Sequence, residues 1–372
     1  MKYSDFCRTD IEFLEEDQFR EACLNLPYQR VFLILSEQAA ERYQMNELVE
    51  RMQQRYQMVW MKQSVSYPTQ TILHRGLSML SDFEPEVILS VGGGSAIDFA
   101  KAMKAFWEFG EVPSIERITE FLRKKEIRGS RMALIAVPTT AGTGAELTKW
   151  ATVWDDEGNV KYSIDHDTLK PDKAYIVPAF TVKADKKLTI STGLDSMAHA
   201  MEAYWSRKTS PLVRVLSKAS VEMTLENLQK ILENPEDILL REKQCTASVL
   251  SGLAFSMTRT TASHSISYPL TMGYGIAHGI AVAMTLSQIA EHNHGAFPEE
   301  DALLVLFSKY GGIRQYLKMI CGEVVSLNLR DYGIAEEMLE EIAGKSFTLG
   351  RMDNNAVELN LQDVIQILRE TY

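Results

Sequence analysis

Short apolar runs closed by polar turns dominate the first half of the chain: RVFLILS at 30–36, MVWMKQ at 58–63, EVILSVG at 86–92, MALIAVP at 132–138 and KAYIVP at 173–178. Runs of this length, mostly bounded by Gly, Pro or polar residues, predict strands. Helical spacing occupies about 40–55 and 68–82 between the first three. Alternating strands and helices predict a mostly parallel sheet with helices on both faces. From about residue 180 the period changes. SPLVRVLSKASVEMTLENLQKILE, GIAVAMTLSQIAEHN, EEDALLVLFSKYGGIRQYLKMI and NLQDVIQILRETY all carry helical spacing with few strand signals. The expected organisation is a Rossmann-like α/β domain over 1–180 and an all-α domain over 181–372.

At 372 residues the chain exceeds what one core usually organises, which agrees with two domains. A net charge of −11 leaves no basic field for a polyanion, so nucleic acid is not an expected partner. The acidic start MKYSDFCRTDIEFLEEDQF lacks the apolar core of a signal peptide, and no stretch approaches the ~18 apolar residues of a membrane helix. The expectation is a cytoplasmic protein without a membrane partner. Cys7, Cys23, Cys245 and Cys321 are scattered without C-x-x-C spacing, as expected of reduced structural thiols.

EVILSVGGGSAIDFAKAM runs a strand through Gly92, Gly93, Gly94 and Ser95 directly into a helix. Glycines let the backbone approach a ligand, and the free N–H groups of the following helix favour an anion, so the context is that of a phosphate-binding turn. The alternative is a flexible turn. After the fourth strand, PTTAGTGAELTKW offers Thr139, Thr140, Gly142, Thr143 and Gly144, expected to form a second cradle for phosphate, ribose or amide. Two such turns at strand ends fit the rule that ligands of open α/β sheets bind beyond the carboxyl ends of the strands.

STGLDSMAHAMEAY, at 191–204, places Asp195 and His199 one helical turn apart, on one face. Alone, the pair is as consistent with a local hydrogen bond as with half a metal site. A metal site requires further ligands, and TTASHSISYPLTMGYGIAHGIA supplies His264 and His278. One straight helix would hold these two about 21 Å apart. Pro269, Gly273 and Gly275 interrupt it, so a helix ending near Tyr268 and a second starting near His278 are expected to bring both rings together. One carboxylate and three imidazoles suit Fe2+ or Zn2+.

These motifs together, GGGSAIDFAK, PTTAGTGAE, the D-x-x-x-H helix followed by Glu202, and the paired SH and AHG segments, resemble the iron-containing (group III) alcohol dehydrogenases along essentially the whole chain. The resemblance implies a nucleotide-binding α/β domain followed by a helical metal-binding domain. It makes Asp195, His199, His264 and His278 the metal ligands, and Gly92 to Ser95, Asp98, Thr139, Thr140, Thr143 and Lys161 cofactor contacts. Many members carry a further His in the paired segment where this chain has Tyr268, so proton delivery falls to Tyr268 acting as an acid, or to water.

The implied reaction is hydride exchange between a nicotinamide dinucleotide and a short aldehyde or primary alcohol, with the metal as Lewis acid. Glu37, at the end of the first strand, favours NAD(H) over NADP(H) if it receives the adenosine ribose, and is otherwise a solvated helix-start residue. HSISYPLT resembles the branch that includes phosphonoacetaldehyde reductases, which implies an anionic substrate and makes Arg259 the candidate cation. A metal- and NAD-dependent lyase of the dehydroquinate-synthase type is the alternative, and a homodimer is the expected assembly.

Overall fold

The computed structural model describes residues 7–65, 67–108, 110–128, 131–156 and 160–372. It forms two compact units, one of Cys7–Thr140 and Ala145–Lys183, the other including Ala141–Gly144 and Ala184–Tyr372.

The first unit is built on a parallel sheet of six strands: β1 (Asp10–Phe13), β2 (Arg30–Ile34), β3 (Gln57–Met61), β4 (Val87–Gly92), β5 (Ala133–Pro138) and, after a separate hairpin of β6 (Trp150–Trp154) and β7 (Lys161–Asp165), β8 (Lys173–Ile176). The spatial order is β1-β8-β5-β4-β2-β3. β2, β4 and β5 are buried almost throughout, and a strand covered on both faces reads as a continuous apolar run rather than an alternation, which is why all three were legible. The polar edge strand β1, DIEF, and the antiparallel β6–β7 hairpin gave no comparable run. Helices α1 (Glu16–Leu24), α2 (Glu37–Arg42), α3 (Asn46–Arg55), α4 (Gln70–Met79), α5 (Gly94–Phe106), α6 (Ile115–Lys124) and the short α7 (Pro178–Thr181) complete the unit. The helical pattern over 40–55 is divided between α2 and α3 because Gln44 takes a left-handed conformation at φ +52°.

The chain winds from β2 to β3 on one side and returns to β4 on the other. The switch in winding therefore lies between the carboxyl ends of β2 and β4, the position where such sheets open a ligand crevice. Register pairs Gly92 of β4 with Pro138 of β5, and Thr139 N–H donates to Gly92 O at 3.0 Å, so the two sequence turns leave the sheet side by side.

The helical unit is organised by α8 (Lys186–Trp205), flanked by α9 (Pro211–Glu233), α10 (Ile238–Thr258), α11 (Ala262–Tyr274) and α12 (His278–His292). From Thr189 to Trp205, α8 is buried on nearly every side, as expected of a helix in the middle of a bundle. Side-chain oxygens of Asp185, Ser210 and Asp237 cap α8, α9 and α10. The expected helix end near Tyr268 is not observed. α11 continues through Pro269, with Ile266 and Leu270 buried on either side, and stops at Gly275 in a left-handed conformation with φ +66°. Burial of the flanking apolar side chains outweighs the one backbone donor that proline removes.

Candidate active site

Three helices bring the four predicted donors together. Asp195 and His199 come from the middle of α8, His264 from the first turn of α11, and His278 opens α12. Asp195 Oδ1 lies 4.0 Å from His199 Nε2, 3.4 Å from His264 Nε2 and 3.9 Å from His278 Nε2. One carboxylate oxygen is thus surrounded by three imidazole nitrogens. Asp195 Oδ1 and His264 Nε2 are both buried without a hydrogen-bond partner. Unpaired buried polar atoms are costly, and the ligand atoms of Asp195, His199 and His264 all lie within 4.8 Å of one another, a spacing that fits a divalent cation, with His278 at the edge of the group nearest Asp195. The His278 side chain is 39% exposed, against 3–6% for the other three, so the cluster faces solvent on the His278 side.

The backs of the imidazoles are held by the protein. His199 Nδ1 donates to Gly142 O at 3.2 Å, and its ring stacks on Phe255 at 4.0 Å. His264 Nδ1 donates to Glu202 Oε2 at 2.5 Å, and His278 Nδ1 lies 3.4 Å from Ser267 Oγ. Engaging Nδ1 leaves Nε2 to face the cluster, which fixes the ring orientation that a metal ligand needs. Burial drives His199 down to about 4, so its ring is neutral at neutral pH. Burial is the largest influence on His264 and acts to lower it, but the Glu202 and Asp195 carboxylates together outweigh burial and raise it to about 10. Burial acts to raise Asp195, yet the surrounding imidazoles hold it well below the usual carboxylate range.

Two glycines permit this closeness. A Cβ at Gly279 would lie 1.9 Å from Ser191 O, and one at Gly142 would lie 2.3 Å from Thr192 O. The start of α12 and the 141–144 segment therefore rest directly on the α8 backbone. Gly142 and Gly144 were expected in a second ligand cradle. Both belong to the helical unit, Gly144 at φ +60° against Phe255, and Gly142 contributes its carbonyl to His199. Thr143 lies half-buried between them, whereas Thr139 and Thr140 remain in the sheet unit beside the glycine turn.

At the sheet's switch point a cavity of about 240 Å3 is lined by residues that include Ser36, Gln38, Arg42, Gln63, Ser64, Gly92, Gly93 and Thr139. Gly93 caps α5, Gly94 and Ser95 form its first turn, and all three are half-buried. Glu37 is not in the cavity wall; its exposed side chain pairs with Lys62 at 3.2 Å, and Ser36 and Gln38 on either side line the cavity instead. Asp98, one turn into α5, accepts the Thr152 backbone N–H of β6 at 2.9 Å and lies 4.0 Å from Lys101 Nζ. Lys161 of β7 sits over the Trp154 ring, 5.7 Å from its centroid.

Arg259 follows α10 with φ +66° and ψ 176°, a conformation unusual for a residue with a side chain. Asn354 Nδ2 donates to Thr258 O and Thr260 O, at 2.9 and 3.1 Å, and so clamps the backbone on both sides of Arg259. The Tyr268 ring lies parallel to His278, with centroids 6.1 Å apart. Gly142 O, Glu202 and Asn354 carry roles that no sequence motif marks. The bonds they make join residues 57 to 96 positions apart, with no local spacing to announce them.

A parallel α/β unit with a glycine turn at its switch point, together with a helical unit carrying one carboxylate and three imidazoles, defines the fold class of the iron-type alcohol dehydrogenases. The model of "Iron-containing alcohol dehydrogenase" matches residues 15–178, and that of "Fe-containing alcohol dehydrogenase family, C-terminal" matches 189–372. The chain belongs to the iron-containing alcohol dehydrogenase family. It is 30% identical over 280 residues to an NADPH-dependent butanol dehydrogenase of Clostridium saccharobutylicum, covering 73% of this chain and 71% of that one. Aldehyde-alcohol dehydrogenase 2 of Entamoeba histolytica is 31% identical over 258 residues, 68% of this chain and 29% of its own length. The chain thus spans about a third of the length of such long relatives. Among solved structures, sulfoacetaldehyde reductase of Bifidobacterium kashiwanohense with NAD+ superposes with a TM-score of 0.86 at 23% identity, covering 98% of this chain and 97% of that one. An iron-containing alcohol dehydrogenase of Thermotoga maritima gives 0.82 at 24%, covering 98% of each. The lyase alternative is not favoured by these likenesses. No described helix is long and apolar enough to cross a membrane.

Proposed function

We propose that this chain is a metal-dependent alcohol dehydrogenase or aldehyde reductase that interconverts a short aldehyde and its primary alcohol, using NAD(H). The observation that carries the reading is the pair of buried, unpartnered atoms Asp195 Oδ1 and His264 Nε2 at the centre of three imidazoles. Asp195, His199, His264 and His278 would hold the cation, Fe2+ by family resemblance with Zn2+ as the other candidate. A divalent cation supplies Lewis acidity at a carbonyl oxygen, and the dinucleotide supplies or accepts the hydride.

The chain's own residues do the rest. Glu202, Gly142 and Ser267 orient the imidazoles, and the exposed side of His278 admits substrate. Tyr268, stacked beside His278, holds a proton at its phenol oxygen and delivers it as the aldehyde is reduced. The glycine turn with Thr139, Thr140 and Asp98 binds the dinucleotide, with Thr143 and Lys161 as further contacts. NAD(H) is the proposed cofactor, although the turn of Glu37 toward Lys62 removes it from the cavity wall, so KM values for NADH and NADPH are the direct comparison. A homodimer in the cytoplasm completes the proposal.

The finer proposal is an anionic aldehyde, with phosphonoacetaldehyde and 2-hydroxyethylphosphonate as the pair. Its support is the HSISYPLT resemblance, Tyr268 in place of a relay histidine, and the strained, clamped Arg259. Arg259→Ala is expected to lower kcat/KM for the anionic aldehyde by about 30- to 1,000-fold, the range for a charge-assisted contact in a desolvated site, and to leave a neutral aldehyde of equal length nearly unchanged. Equal loss on both would make Arg259 structural. Preference of the unmodified enzyme for the neutral aldehyde would end the anionic reading.

A further inference from the structure

The cavity at the switch point of the sheet carries charge of one sign only. Among the described residues that line its volume of about 240 Å3, Arg42 alone is formally charged, and the others are apolar, hydroxyl or amide residues and the glycine turn. Arg42 stands in the last turn of α2 with its side chain exposed. Its guanidinium makes no hydrogen bond or ion pair among the described residues. Glu37, at the start of the same helix, is held by the residue that follows β3. Its backbone N–H donates to Lys62 O at 3.0 Å, its carboxylate pairs with Lys62 Nζ at 3.2 Å, and Lys62 Nζ lies over the Trp60 ring, 4.5 Å from the centroid. A carboxylate that would accept ribose hydroxyls and repel a phosphate is therefore absent from the described wall.

We propose that Arg42 receives the 2′-phosphate of NADP(H), so that this cavity takes the phosphorylated dinucleotide as well as NAD(H). The inference rests on the reading of Gly92 and Gly93 as the dinucleotide turn, and it adds the residue that selects at the adenosine end. The two dinucleotides differ only in the phosphate on the adenosine ribose, a group with a charge of about −1.5 to −2 at pH 7. A neutral ribose hydroxyl gains little from a guanidinium, whereas a phosphate takes two parallel N–H bonds from its planar fork. In a wall without another charge, the cation also raises the local potential, which favours the more anionic ligand. No ion pair has to be broken before the fork turns to a phosphate. Ser36 Oγ, in the same wall, accepts the Ala39 N–H at 3.1 Å and so retains its own proton to donate to that phosphate.

The test is a calorimetric titration of the full chain with 5′-AMP and with adenosine 2′,5′-bisphosphate, which differ by the 2′-phosphate alone. The unmodified enzyme is expected to bind the bisphosphate at least as tightly as 5′-AMP. Arg42→Ala should weaken the bisphosphate by about 10- to 100-fold relative to 5′-AMP, the range for a hydrogen bond to a charged group, with Arg42→Lys intermediate because it keeps the charge and loses the fork. In turnover with a short aldehyde, the ratio of kcat/KM for NADPH to that for NADH should fall by the same factor. Ratios are read because a loss of fold or of general nucleotide binding lowers both values alike. If Arg42→Ala weakens both nucleotides equally, or neither, the role of Arg42 at the 2′-phosphate is overturned. If the unmodified enzyme binds 5′-AMP and oxidises NADH but rejects the bisphosphate and NADPH, the proposal fails while the dinucleotide reading of the glycine turn stands. If neither nucleotide binds and neither NADH nor NADPH is oxidised, both fail together.

Discussion

Glu202 Oε2 accepts the Nδ1 proton of His264 at 2.5 Å and also the Thr261 backbone N–H at 2.9 Å, while Oε1 takes the His264 backbone N–H at 3.2 Å. One fully buried carboxylate therefore positions both the ring and the backbone of a proposed ligand. Glu202→Gln keeps the size and loses the charge. It is expected to weaken metal affinity by about 10- to 100-fold, the usual cost of removing a partner behind a ligating histidine. Competition with a calibrated chelator measures this, and an unchanged affinity would separate Glu202 from the site.

Gly279 tests the packing beneath the same cluster. With its Cβ placed 1.9 Å from Ser191 O, Gly279→Ala must push α12 away from α8 and carry His278 with it. Overpacking of this kind costs about 1–3 kcal/mol. Thermal unfolding should show that loss, and elemental analysis should show reduced metal in the folded fraction. Full metal content would mean that His278 is not needed for binding.

Gly93 allows the opposite kind of experiment. The atom nearest to a Cβ there is Thr140 Oγ1 at 3.9 Å, an ordinary contact, so Gly93→Ala meets no steric clash and costs only the exchange of a favourable for a poorer N-cap residue. The added carbon would instead occupy the approach of the dinucleotide phosphates to the start of α5. Calorimetry should show weaker NAD(H) binding with metal content intact, and unchanged affinity would leave the turn without a ligand.

A pH prediction comes from the sheet unit. Burial raises the Glu146 carboxyl to about 7, from an ordinary value of 4.5. Between these values the folded state holds a proton that the unfolded state has released, so the contribution of Glu146 to stability is greatest below pH 4.5 and falls as pH rises toward 7. Burial lowers Lys101 to about 8, so its contribution is regained only as pH rises from 8 toward 10.5. Glu146→Gln stays neutral throughout, and near pH 7.5 it should recover up to about 3 kcal/mol of the Glu146 loss. Urea unfolding of both proteins at pH 5 and pH 7.5 measures the difference, which should shrink to about 1 kcal/mol or less at the lower pH.

The sequence by itself determined the parts whose physics is local. Continuous apolar runs announced β2, β4 and β5 because both faces of those strands are covered, and Gly92 to Gly94 announced the turn that joins β4 to α5. The i, i+4 spacing of Asp195 and His199 followed from the helix period alone. Tertiary structure decided everything that depends on distant segments meeting. The α11 helix survives Pro269 because its neighbours bury Ile266 and Leu270, and the break falls at Gly275. Gly142 brings its carbonyl to His199 because its backbone rests on Thr192. Glu37 turns to Lys62, and Asn354 reaches back to the carbonyls around Arg259. A local pattern can specify which residues share a face of one helix or strand, but the partner of a buried donor is set by the packing of the whole chain.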